Sequence, residues 1–205
     1  MNSRSNRNLS SAPKIALAII LSLSLLATAC SAQWISIALA DLPVLTQMAV
    51  NIGTIITTLQ SGQQISASDA AAIQNISAQA ASDLNLLQSL YNQYQSNPSA
   101  SGLQKIQTTI AEINQSLPAL LQAAYIGDPV LSARVAAGVN LILTSVASFA
   151  ALIPQTSAQL ITQKVAHPAP AIPKANDLKK QWNRQVCGPT GNSALDLSAT
   201  GCTVK

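Results

Sequence analysis

Charge is what this sequence most lacks. Only 9% of its 205 residues are Asp, Glu, Lys or Arg, and 3% are aromatic, whereas an average soluble domain is about a quarter charged. Serine, threonine, asparagine and glutamine supply the polarity instead. Seven carboxylates and a single histidine, His167, leave little material for acid–base work. His167 lies among prolines, with no nucleophile or carboxylate framework arranged around it. Residues 34–163 contain no histidine at all, which excludes the E-x-x-H pairs of a di-metal helical bundle. Phosphate loops, G-x-G-x-x-G, G-x-S-x-G and C-x-x-C are all missing. The expectation is a non-enzymatic protein with no metal and no cofactor. Disorder is excluded from the other side, because 48% of the residues are hydrophobic.

The net charge of +4 is unevenly spread. Residues 1–33 carry Arg4, Arg7 and Lys14 and no acid. Residues 34–163 set Asp41, Asp69, Asp83, Glu112 and Asp128 against Lys105 and Arg134. Residues 164–205 set Lys164, Lys174, Lys179, Lys180, Arg184 and Lys205 against Asp177 and Asp196. Basicity is therefore terminal and the body is mildly acidic. A nucleic-acid footprint needs cations clustered on a folded face, and the body has none.

The first thirty residues read as an address. A polar, positive leader is followed by the apolar run Ile15 to Ala29 (IALAIILSLSLLATA), small residues and Cys30. These are the three parts of an export signal. The apolar core is short for a bilayer of ~30 Å, although a signal-anchor continuing to Ala40 stays open. Leu26-Ala27-Thr28-Ala29-Cys30 resembles the lipobox of bacterial lipoproteins, with Ala27 where that pattern most often has leucine. The resemblance covers residues 1–33 only. It implies cleavage before Cys30, lipidation of its thiol and anchoring in the cell envelope. Ser31 after the cysteine then favours the outer membrane of a Gram-negative cell. The same residues also read as an ordinary A-x-A site, cut after Ala29 or Ala32 and giving a secreted protein.

Three cysteines are an odd number for an oxidising compartment. If Cys30 is acylated, Cys187 and Cys202 remain as a pair. They flank a segment rich in turn residues (Gly188, Pro189, Gly191, Asn192, Gly201) that brings its ends together. Two free thiols are the alternative, and a zinc site lacks ligands.

The body reads as all-α. Apolar residues recur at steps of three and four from Trp34 to Gln60 (Ile35, Leu39, Leu42, Leu45, Ala49, Ile52, Ile56, Leu59), with Pro43 near the start and Ser61-Gly62 as the stop. A second helix is predicted from about Ser68, capped by Ser66 or Ser68, and ended by Asn97-Pro98. Its stripe is Ile73, Ile76, Ala80, Leu84, Leu87, Tyr91 and Tyr94. The third runs from about Ser99 to Tyr125 (Leu103, Ile106, Ile110, Ile113, Leu117, Leu120, Ala124), with Pro118 inside it. Gly127-Asp128-Pro129 combines a helix end, a cap and a first-turn proline. The fourth helix runs to about Ile153 (Leu131, Val135, Val139, Ile142, Val146, Phe149, Ile153). Four helices of about 25 residues with short links predict an antiparallel up-down four-helix bundle. The domain reading is a signal peptide over 1–29, the bundle over 30–164, and an appendage over 165–205. That appendage consists of a Pro-rich linker (HPAPAIP), a short basic helix and a disulfide-closed tail.

Two features are candidates for contact with something else. Lys174, Lys179, Lys180 and Arg184, with Trp182 among them, suit an acidic envelope protein or an anionic surface, the indole seating at the interface. The alternative is a tail helix whose Leu178 and Trp182 pack back on the bundle. Val135 to Ile153 is uncharged and long enough to span a membrane, but Asn140, Thr144 and Ser148 draw a polar stripe along it. The expected function is a lipid-anchored structural or interaction module of the cell envelope. The competing readings are a membrane-inserting or pore-forming protein and, more weakly, a carrier of an apolar ligand in the bundle core.

Overall fold

The computed structural model describes residues 33–56, 65–153, 174–191, 193, 196 and 202–204. The export signal with Cys30, the Ser61-Gly62 stop and the proline-rich spacer with His167 lie outside the described residues. Among the described residues there are five long helices: α1 Gln33–Ile56, then α2 Ala67–Ser96, α3 Ala100–Ala123, α4 Pro129–Leu152 and α5 Ala175–Gln185. Among the described residues there is no strand.

Helix starts follow from local chemistry. The Ser66 hydroxyl accepts from the Asp69 N–H at 3.1 Å, and the Ser99 hydroxyl accepts from the Gly102 N–H at 3.1 Å. The Asp128 carboxylate accepts from the Leu131 N–H at 2.8 Å, with Pro129 opening α4 where its missing N–H costs nothing. Each cap satisfies one of the four N–H groups that a helix start leaves without an internal partner. Pro118 lies inside α3, as expected. Pro43 is ten positions into α1, on its exposed side.

The predicted stripes form the core. Leu42, Leu45, Ala49, Ile52 and Ile56 of α1 are fully buried, as are Ile73, Ala80, Leu84, Leu87 and Tyr91 of α2. Ile106 and Leu117 of α3 and Val135, Val139, Ile142, Val146 and Phe149 of α4 complete the same cluster. Each large side chain contributes roughly 1.5–3 kcal/mol by leaving water. Small residues let the backbones approach: the Ser77 hydroxyl donates to the Ala49 carbonyl at 2.7 Å, and a β-carbon added at Gly53 would meet that hydroxyl at 2.8 Å. The stripe on α4 divides, with Asn140 and Thr144 exposed and Ser148 buried. Thr144, Ser145 and Ser148 each donate to the carbonyl four residues back, so the buried hydroxyls of Ser145 and Ser148 are satisfied within α4.

The described part of the segment read as an appendage joins this core. Leu178, Trp182, Val186 and Cys202 are fully buried, in one cluster with α1 to α4.

Candidate functional site

The densest polar chemistry in the molecule surrounds the C-terminal segment. Helix α5 places Leu178, Trp182 and Val186 on one side by its three- and four-residue spacing. Trp182 and Ile52 of α1 both lie against Gly138 of α4. A β-carbon at Gly138 would sit 3.0 Å from the indole, so glycine there sets the depth to which the ring enters.

The indole N–H donates to the Cys202 carbonyl at 2.9 Å, and the Asn51 amide of α1 donates to the same oxygen at 2.8 Å. Asn183 holds the next stretch by both ends of its amide. It accepts from the Val204 N–H at 2.9 Å and donates to the Val204 carbonyl at 3.3 Å. The Cys187–Cys202 disulfide, with Cα atoms 5.8 Å apart, fixes residues 202–204 to the end of α5.

Two lone charges in otherwise uncharged helices also serve this segment. Arg134, 4% exposed, is the one charged residue of α4. It donates to the Gly188 carbonyl at 2.6 Å and pairs with Asp196 at 3.2 Å. Asp196 in turn accepts from the Thr190 hydroxyl and N–H, each at 2.7 Å, and these hydrogen bonds hold its carboxyl below the usual range, helped by Arg134. Asp41, 4% exposed, is the one charged residue of α1. It accepts from the backbone N–H of Ala175, the first residue of α5, whose own N-cap Lys174 makes no side-chain cap. Burial pushes the Asp41 carboxyl above its ordinary value, against the pull of that N–H.

This arrangement decides between the two readings of Trp182. Trp182 is not available to an interface, because its ring is fully buried and its N–H is already bonded within the chain. Lys180 and Arg184 are exposed on the side of α5 away from the indole, whereas exposed Lys174 and half-buried Lys179 border its buried side by helical spacing. Cys187 and Cys202 are joined as expected. Sequence reading missed Asp41, Asn51, Arg134, Gly138 and Asn183. The signal for two of them was present, since a single charge in an apolar helix needs a partner once buried.

Elsewhere the polar features are sparse. At the far end of the bundle Trp34 packs edge-on to Tyr91 (ring centres 5.5 Å apart), and Tyr91 packs edge-on to Phe149 at 6.5 Å. Burial pushes the Tyr91 phenol above its usual range. Tyr125, just past the end of α3, is 88% exposed. A shallow groove of about 550 Å³ near the α2–α3 turn is lined by Tyr94, Asn92, Ser101 and Lys105. Asp83 of α2 has its carboxyl raised by burial, with Glu112 adding to the effect and the Gln79 amide opposing it. Among the described residues no group of three or more His, Cys, Asp or Glu side chains is placed to hold a metal. No family model matches the chain, and comparison with curated proteins and with solved structures finds no match.

Proposed function

We propose that this protein is an exported, lipid-anchored helical bundle, acting as a non-enzymatic structural or interaction module of the cell envelope. The observation that carries the reading is the Cys187–Cys202 disulfide, which closes the tail onto the core. Structural disulfides persist in oxidising compartments and are rare where glutathione and thioredoxin keep thiols reduced. With those two cysteines paired, Cys30 stands alone at the end of an export signal that resembles a lipobox. The anchor is then the acylated Cys30, and the outer membrane is favoured by Ser31.

Helices α1 to α4 are read as an antiparallel up-down four-helix bundle. Trp34 against Tyr91 and Ala49 against Ser77 support opposite directions for α1 and α2. Tyr94 beside Gly102 supports the turn from α2 into α3. Tyr91 against Phe149 at one end, and the Gly127 N–H donating to Asp69 at the other, support a shared direction for α2 and α4.

A second reading, insertion into the bilayer, is favoured by α1 and α4, both long and apolar enough to cross a membrane. Half of each apolar window is already buried inside the bundle, which favours the first reading. Fractionation of a Cys30→Ser variant separates the two. Release from the membrane fraction supports the lipid anchor. Retention through an alkaline wash overturns it in favour of insertion.

A further inference from the structure

We propose that the outer side of α5 is a docking surface for an anionic phospholipid membrane; the proposal rests on the envelope location inferred above. The starting observation is where charge survives at the surface. Helices α1 and α4 hold one charged residue each, Asp41 and Arg134, and both are buried and engaged with the tail. Asp196, which lies near α5, is tied to Arg134 and Thr190. None of these neighbours offsets the cations of α5. Lys174, Lys179, Lys180 and Arg184 face a single carboxylate on their own helix, Asp177, and among the described residues none of them forms an ion pair. The α2–α3 side carries the opposite balance: Asp69, Asp83, Glu112 and the Asp128 cap against Lys105. The described residues are thus electrostatically two-sided, positive where α5 lies over α1 and α4 and negative across the bundle.

The kind of partner follows from what accompanies those cations. Leu178, Trp182 and Val186 are turned inward, so the outer side of α5 exposes Asn176, Asp177, Lys180, Arg184 and Gln185 without an apolar or aromatic residue. A protein interface needs buried aromatic or aliphatic anchors at its centre. Attraction to a plane of anionic headgroups needs only charge within a Debye length, about 10 Å at 0.1 M salt. The exposed positions of α1 and α4 are all uncharged, so approach of these helices to headgroups desolvates no ion.

The test uses the envelope-extracted protein mixed with phosphatidylcholine vesicles, with and without phosphatidylglycerol. Amine labelling of each lysine is read by mass spectrometry. The expected result is severalfold slower labelling of Lys174 and Lys180 on phosphatidylglycerol vesicles at low salt, relieved by high salt, with Lys105 unchanged. Binding of a Lys179→Gln, Lys180→Gln, Arg184→Gln variant, measured without the acyl anchor in a Cys30→Ser background, should weaken by about fivefold for each charge removed. Equal labelling on both vesicles, protection of Lys105 to the same degree, or undiminished binding of the variant would overturn the proposal. The wild-type labelling decides even if the variant fails to fold. Failure of the lipid anchor is separately visible, because an acylated protein floats with neutral vesicles whatever α5 does.

Discussion

Removing the Trp182 ring should destabilise the whole bundle, because α5 is a component of its core. Trp182 is fully buried, fills the space over Gly138 beside Ile52, and donates its N–H to the Cys202 carbonyl. Trp182→Ala removes the largest fully buried side chain of the structure. Such truncations cost about 3–5 kcal/mol, from lost transfer energy plus the cavity left behind. Trp182→Phe keeps most of the apolar contact and loses the indole N–H. The Cys202 carbonyl retains its bond from Asn51, so this change should cost only about 1–2 kcal/mol. Urea unfolding followed by far-UV circular dichroism gives both values, and Trp34 fluorescence reports on the opposite end of the bundle. The two probes should shift together to lower urea in the order wild type, Phe, Ala. If the Ala variant leaves the Trp34 transition where it was, α5 is energetically separate and the reasoning fails.

Three further outcomes are expected. Replacing Cys187 and Cys202 together with alanine opens a loop of sequence separation 15, and the midpoint of chemical unfolding should report a loss of about 3 kcal/mol. Asp41→Asn keeps an acceptor for the Ala175 N–H while removing a buried charge. The folded-state pKa of Asp41 is raised, so its carboxylate lowers stability as pH climbs from below 3.8 through the raised value. The Asn variant should therefore be at least as stable at neutral pH, with a flatter pH profile through the acid range. A variant that is less stable at neutral pH would mean that the cap interaction outweighs burial. Asp196 works in the opposite sense, its lowered pKa giving stability above the ordinary carboxylate range that fades on acidification. Gly138→Leu drives a side chain into the indole and should cost more than Gly138→Ala, whose methyl needs only a small shift of the ring. Thermal melts of the two variants rank them.

The helices were legible because their signals are local. Ser66, Ser99 and Asp128-Pro129 announce helix starts by capping chemistry that needs no tertiary information. The core stripes were legible because three- and four-residue spacing leaves little freedom about which side is buried. The tail clasp was not legible, since it joins residues far apart in sequence: Asn51 to Cys202, and Arg134 to Gly188 and Asp196. Nothing around Asn51 or Gly138 marks either as a partner of a helix more than thirty residues away. Trp182 was ambiguous for a related reason. A tryptophan among lysines suits an interface and a packed amphipathic helix equally, and only the Gly138 seat decides between them.

Intact-mass spectrometry of the membrane-extracted protein, native and reduced, distinguishes an acylated, disulfide-closed bundle of an oxidising compartment from its alternatives. The expected chain starts at Cys30, carries acyl groups, and gains the mass of a pair of hydrogens on reduction of Cys187–Cys202. An unacylated chain still starting near Met1, or one whose mass does not change on reduction, would contradict it.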